Sequence, residues 1–188
     1  MKTDVGPFQK IWDEHPILRP RLEKVTVNFA VGKSGPDLER ARNLAQNLTG
    51  RKPADSRAKE SIRGFNIRKG EPIGCHVTLR KEVATEWLKK TFYAIDDQVL
   101  TKNFDNQGNV SVTVKDHLNL PSVKYDPKIG VFGFTVTANL ERVGYRVKRR
   151  RLRSTRIPKK HRITKDEAIA WFLASFEGLK IQDHFEED

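Results

Sequence analysis

The sequence predicts an α+β fold, an antiparallel sheet with helices packed on one face and a polar opposite face. Four segments alternate apolar and polar residues with period two, the spacing of a half-buried strand. Between and after them lie segments whose apolar residues recur every three or four positions, the spacing of a helix with one buried side. Parallel strands buried on both faces read as continuous apolar runs, and none of these does, so a doubly wound parallel sheet is excluded.

The elements follow in order. After a loose start, residues 23–31 (EKVTVNFAV) place Val25, Val27, Phe29 and Val31 on one face and Lys24, Thr26, Asn28 and Ala30 on the other. A GKSG break leads to a helix whose stripe is Leu38, Ala41, Leu44, Ala45 and Leu48, with Pro36 in its first turn and Gly50 as its cap. Residues 51–70 are basic and broken by proline and glycine, which predicts a mobile loop. Residues 73–80 form a strand with Ile73, Cys75, Val77 and Leu79 inward and Gly74, His76, Thr78 and Arg80 outward. A second helix follows, with Val83, Trp87, Leu88 and Phe92 along one side. A turn then leads into a strand carrying Val110, Val112 and Val114. Another strand carries Phe132, Phe134, Val136, Ala138 and Leu140 on one face. Thr164 and Glu167 have capping-box spacing at the start of a last helix facing inward through Ile169, Phe172, Leu173 and Phe176, and Gly178 ends it. Residues 180–188 are expected to form a frayed acidic tail. The 188 residues suit a single domain with no internal repeat.

Charge is the first functional signal. The net charge is +12, yet ten Lys or Arg and no Asp or Glu lie between residues 146 and 162, leaving 26 basic against 24 acidic residues elsewhere. A surface charged only for solubility would spread that excess; its concentration points to a polyanion. The run contains a proline and lacks an apolar face, so nucleic acid is favoured over a membrane surface. No apolar run approaches the roughly 18 residues of a membrane span, and the amino terminus does not read as a secretory signal.

Other chemistries find little support. Gly32, Lys33 and Ser34 follow a strand as in a phosphate-binding loop, but that motif needs a glycine where Val27 stands inside the strand. The histidines (His15, His76, His117, His161 and His184) have no metal-ligand spacing, and one cysteine, Cys75, permits neither an internal disulfide nor a usual zinc pattern. No nucleophile motif is present. Neither a catalytic residue, a metal nor a cofactor is expected.

RNA binding fits three groups of residues. The outward positions of the first two strands, Lys24, Thr26, Asn28, His76, Thr78 and Arg80, are short hydrogen-bonding groups and cations suited to phosphates, 2′-hydroxyls and base edges. The loop carries Arg51, Lys59, Arg63, Arg68 and Lys69 around Phe65, which is placed to stack on a base unless it packs against the body. Arg146, Lys148, Arg149, Arg150, Arg151 and Arg153 open the basic run 146–162 and suit RNA phosphates, which the resemblance below makes those of rRNA.

Four segments in order, KVTVNFAVGKSG, LTGRKPADSRAKESIRGFNIRKGEPIGCHVTLR, YDPKIGVFGF and ERVGYRVKRRR, resemble the signatures of one ribosomal family. It is the universal 5S-rRNA-binding protein of the large subunit, large-subunit protein five, in its archaeal and eukaryotic form. The resemblance implies a non-enzymatic, cytoplasmic ribosomal protein that binds 5S rRNA and large-subunit rRNA in the central protuberance. Its further implied partners are the other protein of the 5S particle, peptidyl-site tRNA and a small-subunit head protein. By motif, Asn28 and Thr78 match sheet positions implicated in 5S rRNA contact, and residues 58–69 match the loop that approaches tRNA. Departures occur at Arg51, where the family usually has glutamine and where a phosphate contact keeps it among the expected 5S rRNA-binding residues, at Lys33, where an acidic residue is common, and at His15-Pro16-Ile17-Leu18. The rival readings are an RNA-processing enzyme, or an extraribosomal module that binds through the basic run alone.

Overall fold

The computed structural model describes residues 5–121 and 123–183. Its elements are α1 (Gly6–Glu14), β1 (Arg21–Ala30), α2 (Pro36–Thr49), β2 (Ala54–Arg57), β3 (Pro72–Leu79), α3 (Lys81–Tyr93), β4 (Gln98–Leu100), β5 (Val110–Val114), β6 (Phe134–Glu141), α4 (Arg146–Arg149), α5 (Lys165–Ser175) and β7 (Lys180–Gln182). Five strands form one antiparallel sheet in the order β2-β3-β1-β6-β5. This is the expected α+β arrangement.

Register carries the alternation across the sheet. Val27 lies opposite Val77 on one side and Val136 on the other, and Val136 faces Val112. All four are buried, as are Val25, Phe29, Cys75 and Leu79. The helices close over this row. α2 contributes Leu38, Ala41, Leu44 and Ala45 to the core, and α5 contributes Ile169 and Phe172. Phe172 stacks with Phe176 and meets Phe92 and Phe104 edge to face, giving the core an aromatic centre. Gly50, the expected cap of α2, adopts φ +66 and its N–H donates to Gln46 O at 2.8 Å, which closes the last turn.

Several elements depart from expectation. The start of the chain is not loose: α1 docks through Trp12, which is 4% exposed. One deeply buried residue in nine gives too narrow a stripe to read as a helix. Val83 is 40% exposed, and Ala84 takes its place beside Trp87, Leu88, Thr91 and Phe92. Those positions follow i, i+3, i+4, i+7, i+8, whereas Val83 is turned about 100° away. Within residues 51–70, Ala54–Arg57 is an edge strand, polar because an edge needs only its backbone to pair. Lys180–Gln182, expected as the start of a frayed tail, pair in parallel with Gln98–Leu100 behind the buried Leu179. Three residues are too few to show a period. Residues 184–188 of that tail, His184 and the final FEED, lie outside the described residues.

Candidate nucleic-acid interface

The face of the sheet away from the helices is built by the complementary half of each alternation. Antiparallel register sets His76, Asn28, Thr135 and Thr113 in one row and Thr78, Thr26, Thr137 and Ser111 in the next. Lys24 lies opposite Asn139 at the end of these rows. The flanks satisfy themselves: Ser111 pairs with Thr137 at 3.0 Å, Thr113 with Thr135 at 3.2 Å, and His76 Nδ1 with Ser56 Oγ at 3.0 Å. In the middle, Lys24, Thr26, Asn28 and Thr78 are half-buried, and their side chains make no hydrogen bond or ion pair among the described residues. Polar groups held at fixed spacing with unused donors and acceptors are what a polar ligand requires.

Arg51 sits beside this field. It follows the left-handed Gly50, its N–H donates to Thr49 Oγ1 at 3.3 Å, and it lines a shallow depression with Lys52, Ala54, His76 and Thr78. Arg80 is placed differently. Its guanidinium pairs with Glu23 at 2.7 Å, and Glu23 also receives Arg149 at 3.5 Å. Arg149 in turn pairs with Glu141 at 2.5 Å. Two predicted RNA contacts, Arg80 and Arg149, thus also knit the end of the sheet to α4. Both remain about half exposed, so these pairs leave surface for a phosphate.

The loop candidates lie at the tip of the β2–β3 hairpin. Its base is stitched by Ala58 N–H to Glu71 O, Gly70 N–H to Ala58 O, and the Ile62–Ile67 bridge. Glu71 accepts from the Ser34 hydroxyl and from the Arg68 N–H at 3.0 Å, bonds that hold its carboxyl below its ordinary value. Beyond this base Lys59, Arg63, Arg68 and Lys69 are exposed, and Phe65 is 73% exposed, so it does not pack against the body. The sheet field and the hairpin tip are therefore two separate surfaces.

The basic run is folded. Arg146, Lys148, Arg149, Arg150, Arg151 and Arg153 are all exposed, on α4 and the turn after it. The Ser154 hydroxyl donates to Lys148 O at 2.9 Å, Arg150 Nε donates to Arg153 O at 2.8 Å, and Ile157 is buried. Behind the run, Arg142 and Glu167 form a buried pair. Arg142 Nη2 lies 2.5 Å from both carboxylate oxygens, and Trp12 Nε1 donates to Glu167 Oε1 at 3.2 Å. Glu167 thus turns its carboxylate to Arg142 and Trp12, while its backbone N–H still meets Thr164 Oγ1 at 3.4 Å.

Two of the histidines are spent on structure. His117 Nδ1 accepts from Phe132 N–H at 3.3 Å, and His161 Nε2 donates to Val143 O at 2.9 Å. Burial pushes the Cys75 thiol up, away from the reactive thiolate. Among the described residues, no three His, Cys, Asp or Glu are grouped to hold a metal.

Thr135, Thr137 and Asn139 of β6 and Ser111 and Thr113 of β5 complete the polar face, although they are not among the residues singled out from sequence. The signal was present in FTVTANL and VSVTV, whose polar positions alternate as those of the first two strands do.

Residues 15–68 match the family model described as "Ribosomal protein L5", and residues 72–171 match the model of the C-terminus of the same ribosomal family. The chain belongs to the ribosomal protein L5 family. Its relatives named "Large ribosomal subunit protein uL5" include that of Sulfolobus acidocaldarius, 44% identical over 90% of this chain and 95% of the relative. That of Methanococcus aeolicus is 41% identical over 93% and 98%, and that of Pyrobaculum aerophilum 46% identical over 84% and 88%. The two L5 segments meet in a single sheet, since β1 and β2 come from the first and β3, β5 and β6 from the second. As an L5 protein the chain is a structural, non-enzymatic, RNA-binding constituent of the large ribosomal subunit, which places it in the ribosome and the cytoplasm.

Proposed function

We propose that this chain binds 5S rRNA through its polar sheet face in the central protuberance, beside the other protein of the 5S particle. The hairpin tip around Phe65 reaches peptidyl-site tRNA, and the molecule also contacts large-subunit rRNA and a protein of the small-subunit head. The observation that carries the 5S reading is the set of four adjoining side chains, Lys24, Thr26, Asn28 and Thr78, with hydrogen-bonding capacity unused among the described residues. Membership of the L5 family and the match of Asn28 and Thr78 to its motif positions support the same reading. The 73% exposure of Phe65, flanked by Arg63 and Arg68, supports a stacking and phosphate contact at the tip.

The test is Asn28→Ala with Thr78→Ala. Neither side chain makes a hydrogen bond among the described residues, so folding is expected to be retained while 5S rRNA loses about two bonds. At about 0.5–1.5 kcal/mol each, affinity falls roughly 5- to 150-fold. Filter binding of 5S rRNA in competition with generic duplex RNA reads this directly. Unchanged affinity for 5S rRNA, or equal affinity for both RNAs, rejects the site and favours binding through the basic run alone.

A further inference from the structure

The basic run does not lie loose over the surface. It folds back against the end of the sheet and encloses a cleft of about 320 Å³, at the small end of the range for ligand sites. We propose that this cleft takes one unstacked nucleotide of single-stranded RNA, with its phosphate on Lys148 and Arg156 and its base against the amides of Gln107 and Asn139. The proposal rests on the chain being an RNA-binding protein, and is independent of which RNA the sheet face grips.

The partners already made inside the cleft show what remains for a ligand. Glu141 lines it but is neutralised by Arg149 at 2.5 Å. Arg162 is also engaged, donating through Nε and Nη2 to Ile157 O at 3.1 and 3.0 Å. Lys148 Nζ and the Arg156 guanidinium have no partner among the described residues. Two uncompensated cations at the mouth of a cleft whose carboxylate is already paired select an anion.

The amide side is similarly half used. Asn139 donates from Nδ2 to Asn109 Oδ1 at 2.8 Å, and Asn109 donates to Asp105 Oδ2 at 2.6 Å. That chain fixes Asn139 while leaving its carbonyl oxygen and second N–H unspent, and the Gln107 side-chain amide has no partner among the described residues. Free acceptors and donors, those of Asn139 held in place and those of Gln107 exposed beside them, match the edge of a base. Buried Leu140 and Ile157 supply apolar wall. The Tyr145 hydroxyl is consumed, accepting from Ile163 N–H and donating to His161 O, both at 3.2 Å, so its ring is what it offers. Cation, amide and apolar wall together describe a nucleotide better than a bare phosphate. A partly open cleft of this size suits a single splayed base.

Gly108 holds the wall in place. Its φ is +81, and a Cβ there would stand 2.6 Å from Ile163 Cγ2, so the 105–109 turn approaches the end of the run more closely than a side chain allows. This contact brings Gln107 and Asn109 against the same cleft as Arg156.

Fluorescence anisotropy with labelled single-stranded RNA octamers of each base, and with a 12-base-pair RNA duplex, tests the proposal. Lys148→Ala with Arg156→Ala is expected to weaken octamer binding about 10-fold or more. Lys159→Ala with Lys160→Ala removes the same charge from the same run outside the cleft, and is expected to cost no more than about 3-fold. Gln107→Trp keeps every charge but crowds the cleft, and is expected to weaken octamer binding about as much as the first pair. Equal losses from the two double variants, no effect of Gln107→Trp, or a duplex that binds as well as the octamers would each overturn the cleft. Asn28→Ala with Thr78→Ala leaves the cleft intact, so loss of 5S rRNA binding alone separates the two readings.

Discussion

Glu167→Gln isolates the energetics of the buried pair behind the basic run. Glu167 is 4% exposed and Arg142 7%, and their contact ties the end of β6 to the first turn of α5, with α1 attached through Trp12. Arg142 Nη2 serves both carboxylate oxygens while Nε has no partner, so the pair is not the two-pronged fork that best offsets desolvation. Glutamine keeps the shape and can still accept from Trp12, but it leaves a guanidinium buried without a counter-charge. That costs about 3–5 kcal/mol, a large part of the roughly 5–15 kcal/mol available to a domain. Trp12→Phe removes only one bond to a charged acceptor and is expected to cost about 1.5–3 kcal/mol. Replacing both partners, Arg142→Met with Glu167→Leu, in the Trp12→Phe background, so that no buried N–H is left without its acceptor, is expected to be near neutral or stabilising relative to that background, because the desolvation cost disappears with the attraction. Urea denaturation followed by far-ultraviolet circular dichroism, at unchanged m, measures all three. A cost below about 1 kcal/mol for Glu167→Gln, or a double apolar variant as unstable as the single one, refutes the reasoning.

Three further outcomes follow from local geometry. Gly108→Ala meets Ile163 and a positive φ together, so it is expected to lose about 1–3 kcal/mol in thermal melts; adding Ile163→Ala relieves the contact, making the double loss smaller than the sum. The Glu71 carboxyl is depressed by the Ser34 hydroxyl and the Arg68 N–H, so its contribution is present above its ordinary value of 4.5 and is lost as pH falls through the depressed value. Amide shifts of Arg68 followed by NMR should therefore move in that acidic window, and Glu71→Gln should abolish the movement. Cys75 is fully buried with its thiol pushed up, so an aromatic disulfide reagent should label it only after denaturant is added; rapid labelling of the native protein would place Cys75 outside the core.

The L5 sequence alone determined the strands of the large sheet other than β2, the face each residue takes, and the two cationic surfaces. Period two and charge runs are local properties, so Asn28 and Thr78 could be placed on an outward face from their immediate neighbours. Helices with broad apolar stripes, such as the one carrying Leu38, Ala41, Leu44 and Ala45, were legible for the same reason. Only tertiary structure decided which polar side chains remain unspent. Asn28 stands between His76 and Thr135 because β1 pairs with both β3 and β6. Arg80 and Arg149 share Glu23 although Arg149 lies 126 residues away from it, and Trp12 reaches Glu167 across 155 residues. No local pattern encodes such meetings, since they arise when sheet pairing and helix docking close the chain on itself. The same closure sets part of the basic run against the 105–109 turn and the end of β6, leaving Lys148 and Arg156 without a partner among the described residues while Arg149 and Arg162 are engaged.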